Sequence, residues 1–322
     1  MENRLTVSSS PHIRQNLTTQ RVMLDVLIAL VPAAVCGTVI FGLRALLVMA
    51  ACVISAVLSE FLFNLITKRE QTVGDLSAAV TGLLLALNLR ADAPIWQCVL
   101  GAVFAIVVVK CFFGGLGENF ANPAIAGRVF LLVCFSATIG GGAMSVLEPI
   151  LDPSLVSGST PMASGATPLE VLGWNTQLPS LLDMFLGIYG GAIGETCSAA
   201  LLVGYGYLVA RGIIDFEVPL IFIGTVFALS FVFTGSAVLA LYQILAGGLM
   251  LGAIFMATDY VTTPINRLGR MVFALGCGII TVLVRFFGSY PEGVSFAILF
   301  MNILAPYIEK WTANRPLGGK KA

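Results

Sequence analysis

Residues 114–128 read GGLGENFANPAIAGR. The stretch interrupts two apolar tracts, 94–113 and 124–140, and its acid, Glu118, stands five residues before Pro123, with Gly127-Arg128 following. A second stretch, GGLMLGAIFMATDYVTTPINRLGR at 247–270, keeps that order: Asp259, Pro264 five residues on, then Gly269-Arg270. Two further matches run in the same sequence order. GDLSAAV (74–80) pairs with GETCSAA (194–200), and GAVFAI (101–106) with GTVFAL (224–229), each a few residues after a proline, Pro94 and Pro219. The chain is therefore read as an internal duplication. In membrane proteins such duplication often gives inverted repeats, with a site near the midplane where helices are broken. The first two pairs suit inversion; the third falls on one side, so either 235–258 is re-entrant or the repeat is imperfect.

Composition fixes the solvent. Of 322 residues, 58% are hydrophobic and 11% charged, and the mean hydropathy is +0.96. Soluble domains carry about 25% charged residues. So few charges cannot cover a water-facing surface, and the chain is read as an all-α integral membrane protein. Its formal net charge is zero, which leaves no basic footprint for nucleic acid. The polar arm 1–21 lacks an apolar core followed by a cleavage site and is not read as a signal peptide.

A crossing needs about 20 mainly apolar residues. Tracts at 22–43, 45–66, 72–89, 94–113, 124–140, 181–210, 218–234, 238–258, 271–288 and 294–309 predict about ten crossings on that criterion. A break is expected near Gly190-Gly191. Lys and Arg prefer the cytoplasmic side. With both termini inside, most basic residues fall there, and only Arg44 and Arg90 lie in outer loops. The expected division is an arm at 1–21, a first membrane repeat at 22–140, an outer loop at 141–180, a second repeat at 181–310 and a tail at 311–322.

Charges inside a bilayer are costly and face a cavity or a partner. Asp25, Glu60, Asp75, Glu118, Arg128, Glu195, Asp259 and Arg285 are the candidates. Glu118 and Asp259 stand out because they sit beside proline and glycine breaks. A carboxylate near freed backbone carbonyls suits Na⁺ or H⁺, and both acids are candidates for an ion path. The competing reading is that they pair with nearby arginines or cap helix ends. GGLGENFANP lacks the Gly-Lys-Ser/Thr of a phosphate-binding loop. No Ser-His-Asp or zinc spacing occurs, and the single His12 cannot hold a metal alone. The seven cysteines form no CxxC pair and read as small buried hydrophobes.

The outer loop contains SGATPL at 164–169. Ser164, Gly165 and Ala166 are small enough to leave the Thr167 hydroxyl accessible, and Pro168 steers Thr167 away from helical geometry.

These features together resemble the NqrB/RnfD family of ion-translocating electron-transport complexes. The resemblance is carried by SGATPL (164–169), TGLLLALNL (81–89), FAIVVVKCFFGGLGENFANPAIAGR (104–128), GAIGETCSAA (191–200) and GGLMLGAIFMATDYVTTP (247–264), and it spans nearly the whole chain. It implies a fold similar to urea channels and an RnfD-type role in the Rnf complex. It also implies FMN joined to Thr167 by a phosphoester bond. A flavin transferase would make that bond on the outer side with FAD as donor, within the segment formed by Ser164, Gly165 and Ala166. One departure is that no acid precedes the motif, where STPMA stands at 159–163. The resemblance further implies partner subunits RnfA, RnfB, RnfC, RnfE and RnfG supplying the ferredoxin and NAD sites, a surround of membrane lipid, a place in the inner membrane and coupling to Na⁺ or H⁺ export. A second, noncovalent flavin is left open. So are two alternatives: an NqrB-like subunit of a Na⁺-pumping NADH:quinone reductase, and a urea-channel-like transporter.

Overall fold

The computed structural model describes residues 18–139, 180–187, 189–288 and 292–313. Among them, every regular element is a helix. The chain opens with α1 (Thr19–Phe41), whose first turn is capped by the Thr18 hydroxyl accepting from the Arg21 amide. Gly42 alone joins α1 to α2 (Leu43–Ile66), at φ 76°. That left-handed geometry favours glycine, and it turns the chain back within one residue.

The two faces of α2 differ in a way that identifies its solvent. Outward lie Leu43, Leu46, Leu47, Ile54, Leu58, Leu62 and Leu65. Inward lie Ala45, Val48, Met49, Cys52, Ser55, Ala56, Ser59, Glu60 and Asn64. Beyond its first turn the outward face is apolar, while the polar Ser55, Ser59, Glu60 and Asn64 face in, as expected where lipid, not water, surrounds the bundle. Close approach follows from the small residues. A β-carbon at Gly82 would lie 2.8 Å from both the Cys52 carbonyl oxygen and the Val53 α-carbon, so α3 (Ser77–Leu87) packs directly on the α2 backbone.

Beyond α3 come α4 (Ile95–Cys111), α5 (Pro123–Cys134) and the short α6 (Ser136–Ile139). The second half contributes α7 (Leu181–Leu186), α8 (Ser198–Ala210), α9 (Glu217–Thr234), α10 (Ala237–Leu245), α11 (Leu249–Met256), α12 (Arg267–Phe287) and α13 (Val294–Thr312). Helix α1 packs on α8, and α9, α12 and α13 pack in series.

Among the described residues, four helices, α1, α2, α9 and α12, are long and apolar enough to cross a membrane. The pair α10 and α11 makes a fifth if taken as one span, bent by 68° at its break. Three of the remaining tracts are not uniform crossings. Tract 72–89 yields the 11 residues of α3, and 124–140 begins with the 12 of α5. Tract 181–210 splits into α7 and the 13-residue α8, and the expected break at Gly190-Gly191 lies between them. At 1.5 Å per residue such helices reach roughly 16–20 Å, short of a hydrocarbon core about 30 Å thick. Hydropathy counts apolar residues whether they are wound or extended, so it cannot distinguish a span from half of one.

The matched repeat segments occupy like positions. GDLSAAV and GETCSAA each lead into a half-length helix, α3 and α8. The turn before α8 then bonds to the end of α3: the Ile193 amide donates to the Leu89 carbonyl (3.0 Å) and Gly194 to Leu87 (2.8 Å). In the third pair, a π-helical segment ends the incoming helix each time, at Phe104–Cys111 and Gly252–Met256. A loop holding the acid and proline follows, and the next helix begins at Pro123 or shortly after Pro264. Wider π turns recur at functional sites.

The basic residues sort by end. Arg44 donates to the Asp92 carbonyl (3.3 Å), and Arg90 forms a two-pronged pair with the Asp92 carboxylate. The two arginines expected outside therefore share one end of the bundle. At the other end Arg211 pairs with Asp25 (3.1 Å), Arg267 with Glu217 and Arg270 with Asp215.

Candidate functional site

A cavity of about 80 Å³ opens at the end that carries Arg211. Its wall includes Val22 and Met23 of α1, Val80 and Leu84 of α3, and Phe255 of α11. Its polar lining includes Ser77, Lys110, Asn119, Asn122, Thr258 and Asp259. Asn122 is positioned by its second role. Its side-chain oxygen caps α5 by accepting from the amides of Ala124 (3.0 Å) and Ile125 (3.4 Å). Its side-chain nitrogen is then left to reach the Asp259 carboxylate at 3.5 Å. Asp259 also accepts from the Val261 amide (3.3 Å) and the Thr262 hydroxyl (3.1 Å). The Asn119 side-chain oxygen is buried without a hydrogen-bond partner. The loops of the two repeats thus meet at the cavity, joined through Asn122 and Asp259.

Of the two sequence candidates for an ion path, Asp259 is half-buried and lines this cavity, whereas Glu118 is exposed on its loop. Thr167, with Ser164, Gly165 and Ala166, lies outside the described residues.

Two polar constellations were only partly legible in the sequence. Lys110 is fully buried in α4. Its ammonium donates to Glu60 of α2 (2.8 Å) and to the Ser77 hydroxyl (2.6 Å). Thr72 donates to the same Glu60 oxygen at 2.6 Å. A single lysine at the end of an apolar tract carries no sequence sign that it turns inward.

The second constellation lies deeper. Arg128 of α5, 5% exposed, donates to the carbonyl and side-chain oxygens of Asn88, just past α3, and pairs with Glu292. Arg285 of α12 donates to the carbonyl and side-chain oxygens of Gln243 and to the Ala246 carbonyl, at the end of α10. Helix ends leave carbonyls without partners. Each arginine satisfies such carbonyls at the end of a short helix that stops inside the bundle. Between the two halves stands the buried Glu195: a β-carbon at Gly248, just past the Ala246 that Arg285 caps, would lie 3.7 Å from both the Asn88 side-chain oxygen and the Glu195 carboxylate. One oxygen of that carboxylate accepts from the Ala192 amide at 2.9 Å, while the other is buried without a hydrogen bond. All three residues appeared in the sequence as charges in costly places. Their convergence depends on tertiary folding and has no local signature.

An all-helical bundle with a lipid-facing exterior, half-length helices and ionised groups in its interior is the architecture of an integral membrane protein that handles charge within the bilayer. The NQR2, RnfD, RnfE family model matches residues 6–318, and the chain belongs to that family. It is 44% identical over 322 residues to the D subunit of the Na⁺-translocating ferredoxin:NAD⁺ oxidoreductase complex of Acetobacterium woodii, covering 99% of this chain and 97% of the relative. The D subunit of the proton-translocating ferredoxin:NAD⁺ oxidoreductase complex of Clostridium ljungdahlii is 37% identical, with 99% and 98% covered. The D subunit of the ion-translocating oxidoreductase complex of Escherichia coli O139:H28 is 33% identical, with 98% and 99% covered.

Proposed function

We propose that this chain is the D subunit of an ion-translocating ferredoxin:NAD⁺ oxidoreductase complex, inactive alone, that relays electrons along the membrane edge while the complex exports Na⁺ or H⁺. The observation that carries this reading is the similarity, over nearly the full length of both chains, to relatives that bear the name of that subunit. The electron carrier in this reading is FMN esterified through its phosphate to Thr167. FMN exchanges electrons with neighbouring carriers while the protein supplies position and surroundings. Ser164, Gly165 and Ala166 are small enough to admit the transferase, and a following proline disfavours helical geometry at the threonine. A second, noncovalent flavin belongs to the same reading.

The partners in this reading are RnfA, RnfB, RnfC, RnfE and RnfG, in an inner membrane with both termini of this chain in the cytoplasm. The cavity lined by Asn122 and Asp259 is the inner end of the ion path, since a half-buried carboxylate there attracts cations. An NqrB-like place in a quinone reductase is the second reading, favoured by the matched family's inclusion of NQR2.

The test is flavin fluorescence of the denatured chain in a gel, after co-expression with the flavin transferase. The wild type should fluoresce and Thr167→Ala should not. A dark wild-type band would remove the redox role, and a fluorescent variant would move the attachment elsewhere. Quinone reduction by the assembled complex, with no ferredoxin:NAD⁺ activity, would select the second reading.

A further inference from the structure

We infer that Glu195, Arg128 and Arg285 form a charge lock that closes the interior of this protein to ions except during turnover. The inference rests on the ion-export reading above.

Three elements lead from the cavity to this cluster. Leu84 and Asn122 belong to the cavity lining. Asn88 follows Leu84 by one helical turn and donates to its carbonyl at 2.7 Å. Arg128 stands in the second turn of the helix that Asn122 caps. On the third element, the chain runs from Phe255 in the cavity wall back along α11 to Gly248 at its broken end. The cluster therefore stands directly inward of the cavity, on the way to the opposite end.

Its charges sum to zero: two guanidinium groups against the carboxylates of Glu195 and Glu292. A neutral cluster offers a passing cation no net attraction, and its two guanidinium groups repel one. That distinguishes it from a cation site, which needs surplus carboxylate or carbonyl oxygen.

The same cluster is built to be undone. The free Glu195 oxygen, the Nε of Arg128 and the Nε of Arg285 are buried without hydrogen bonds, so alternative partners can be taken up without first breaking one made at those atoms. Arg285 holds the end of α10 at the break before α11, where Gly247 has φ 70° and the helices bend by 68°. A β-carbon at Gly248 would lie 3.7 Å from both the free Glu195 oxygen and the Asn88 side-chain oxygen. Movement at this break would separate Arg285 from the carbonyls it caps and open a route past Glu195.

The experiment uses the assembled complex in sealed vesicles. Passive ²²Na⁺ uptake and proton leak are measured without electron donor, alongside donor-driven export. Arg285→Gln, which leaves carboxylate in surplus and frees the end of α10, should assemble and raise passive leak of the exported ion several-fold, with donor oxidation retained and net export reduced. Arg285→Lys, which keeps the charge, should leak less than Arg285→Gln. Gly248→Ala, whose added carbon fits at ordinary contact distance, should stay tight and slow export. Wild-type-level leak in both Arg285 variants would overturn the lock. Should Arg285→Gln fail to assemble, Arg285→Lys decides: leak above wild type supports the lock, and none removes it. Absence of donor-driven export in the wild type would instead defeat the ion-export reading.

Discussion

The Lys110 ammonium lies 2.8 Å from the Glu60 carboxylate, and both side chains are almost completely withdrawn from the surface. The pair ties α4 to α2. Removing one partner from a buried ion pair leaves an uncompensated charge and costs about 3–5 kcal/mol, whereas replacing both with apolar residues is often neutral. Lys110→Met alone should therefore destabilise the detergent-solubilised protein strongly. Glu60→Leu together with Lys110→Met should recover most of the loss. Thermal unfolding of the four proteins in the cycle measures the coupling; a double-variant loss equal to the sum of the two single losses would show that the pair contributes nothing as a pair.

Thr167→Ala should abolish flavin attachment and leave membrane insertion and assembly unchanged. Intact-mass measurement of the chain, made with its transferase, reads this directly as loss of one FMN phosphate adduct.

Asp259→Asn should lower coupled ion export more than it lowers assembly, because it removes the half-buried charge that Asn122 and Thr262 hold in the cavity. Glu118→Gln should have a smaller effect, since that carboxylate is exposed on its loop. Export per donor oxidised, compared across the two variants, checks the order. A larger loss in Glu118→Gln would shift the ion entrance towards the loop surface.

Gly82→Val should disrupt packing between α2 and α3. The first added carbon already meets the backbone of Cys52 and Val53 at 2.8 Å, and backbone cannot yield as a side-chain tip can. Overpacking of this kind costs about 1–3 kcal/mol, to be read as a lower unfolding temperature. Gly224→Val offers the contrast, because nothing lies within 4 Å of an added carbon there.

The fold class was legible because lipid imposes a compositional demand that 11% charged residues meets and a soluble domain does not. The duplication was legible for a similar reason: acid, proline and Gly-Arg recur at matching intervals, and the structure gives both copies a π-helical turn followed by a loop. The lengths of the spans were not legible. In tract 181–210 the residues before α8 form a turn whose Ile193 and Gly194 amides donate to the end of α3, so an apolar tract holds a non-helical segment. Site residues divided along the same line. The local setting singled out both Asp259, which lines the cavity, and Glu118, which is exposed. It did not single out Lys110 or the meeting of Arg128, Arg285 and Glu195, because each depends on which helices become neighbours.

The single-residue link at Gly42 has a consequence for biogenesis. With α1 and α2 joined so tightly, neither can settle in the bilayer while the other remains in the translocation channel. The first insertion event is then a helical hairpin delivered as one unit. Lengthening the link with a flexible spacer should let α1 enter alone, as stepwise release of ribosome-bound truncated chains would reveal. The hairpin so delivered would be the platform on which α3 and α8 dock as each is synthesised.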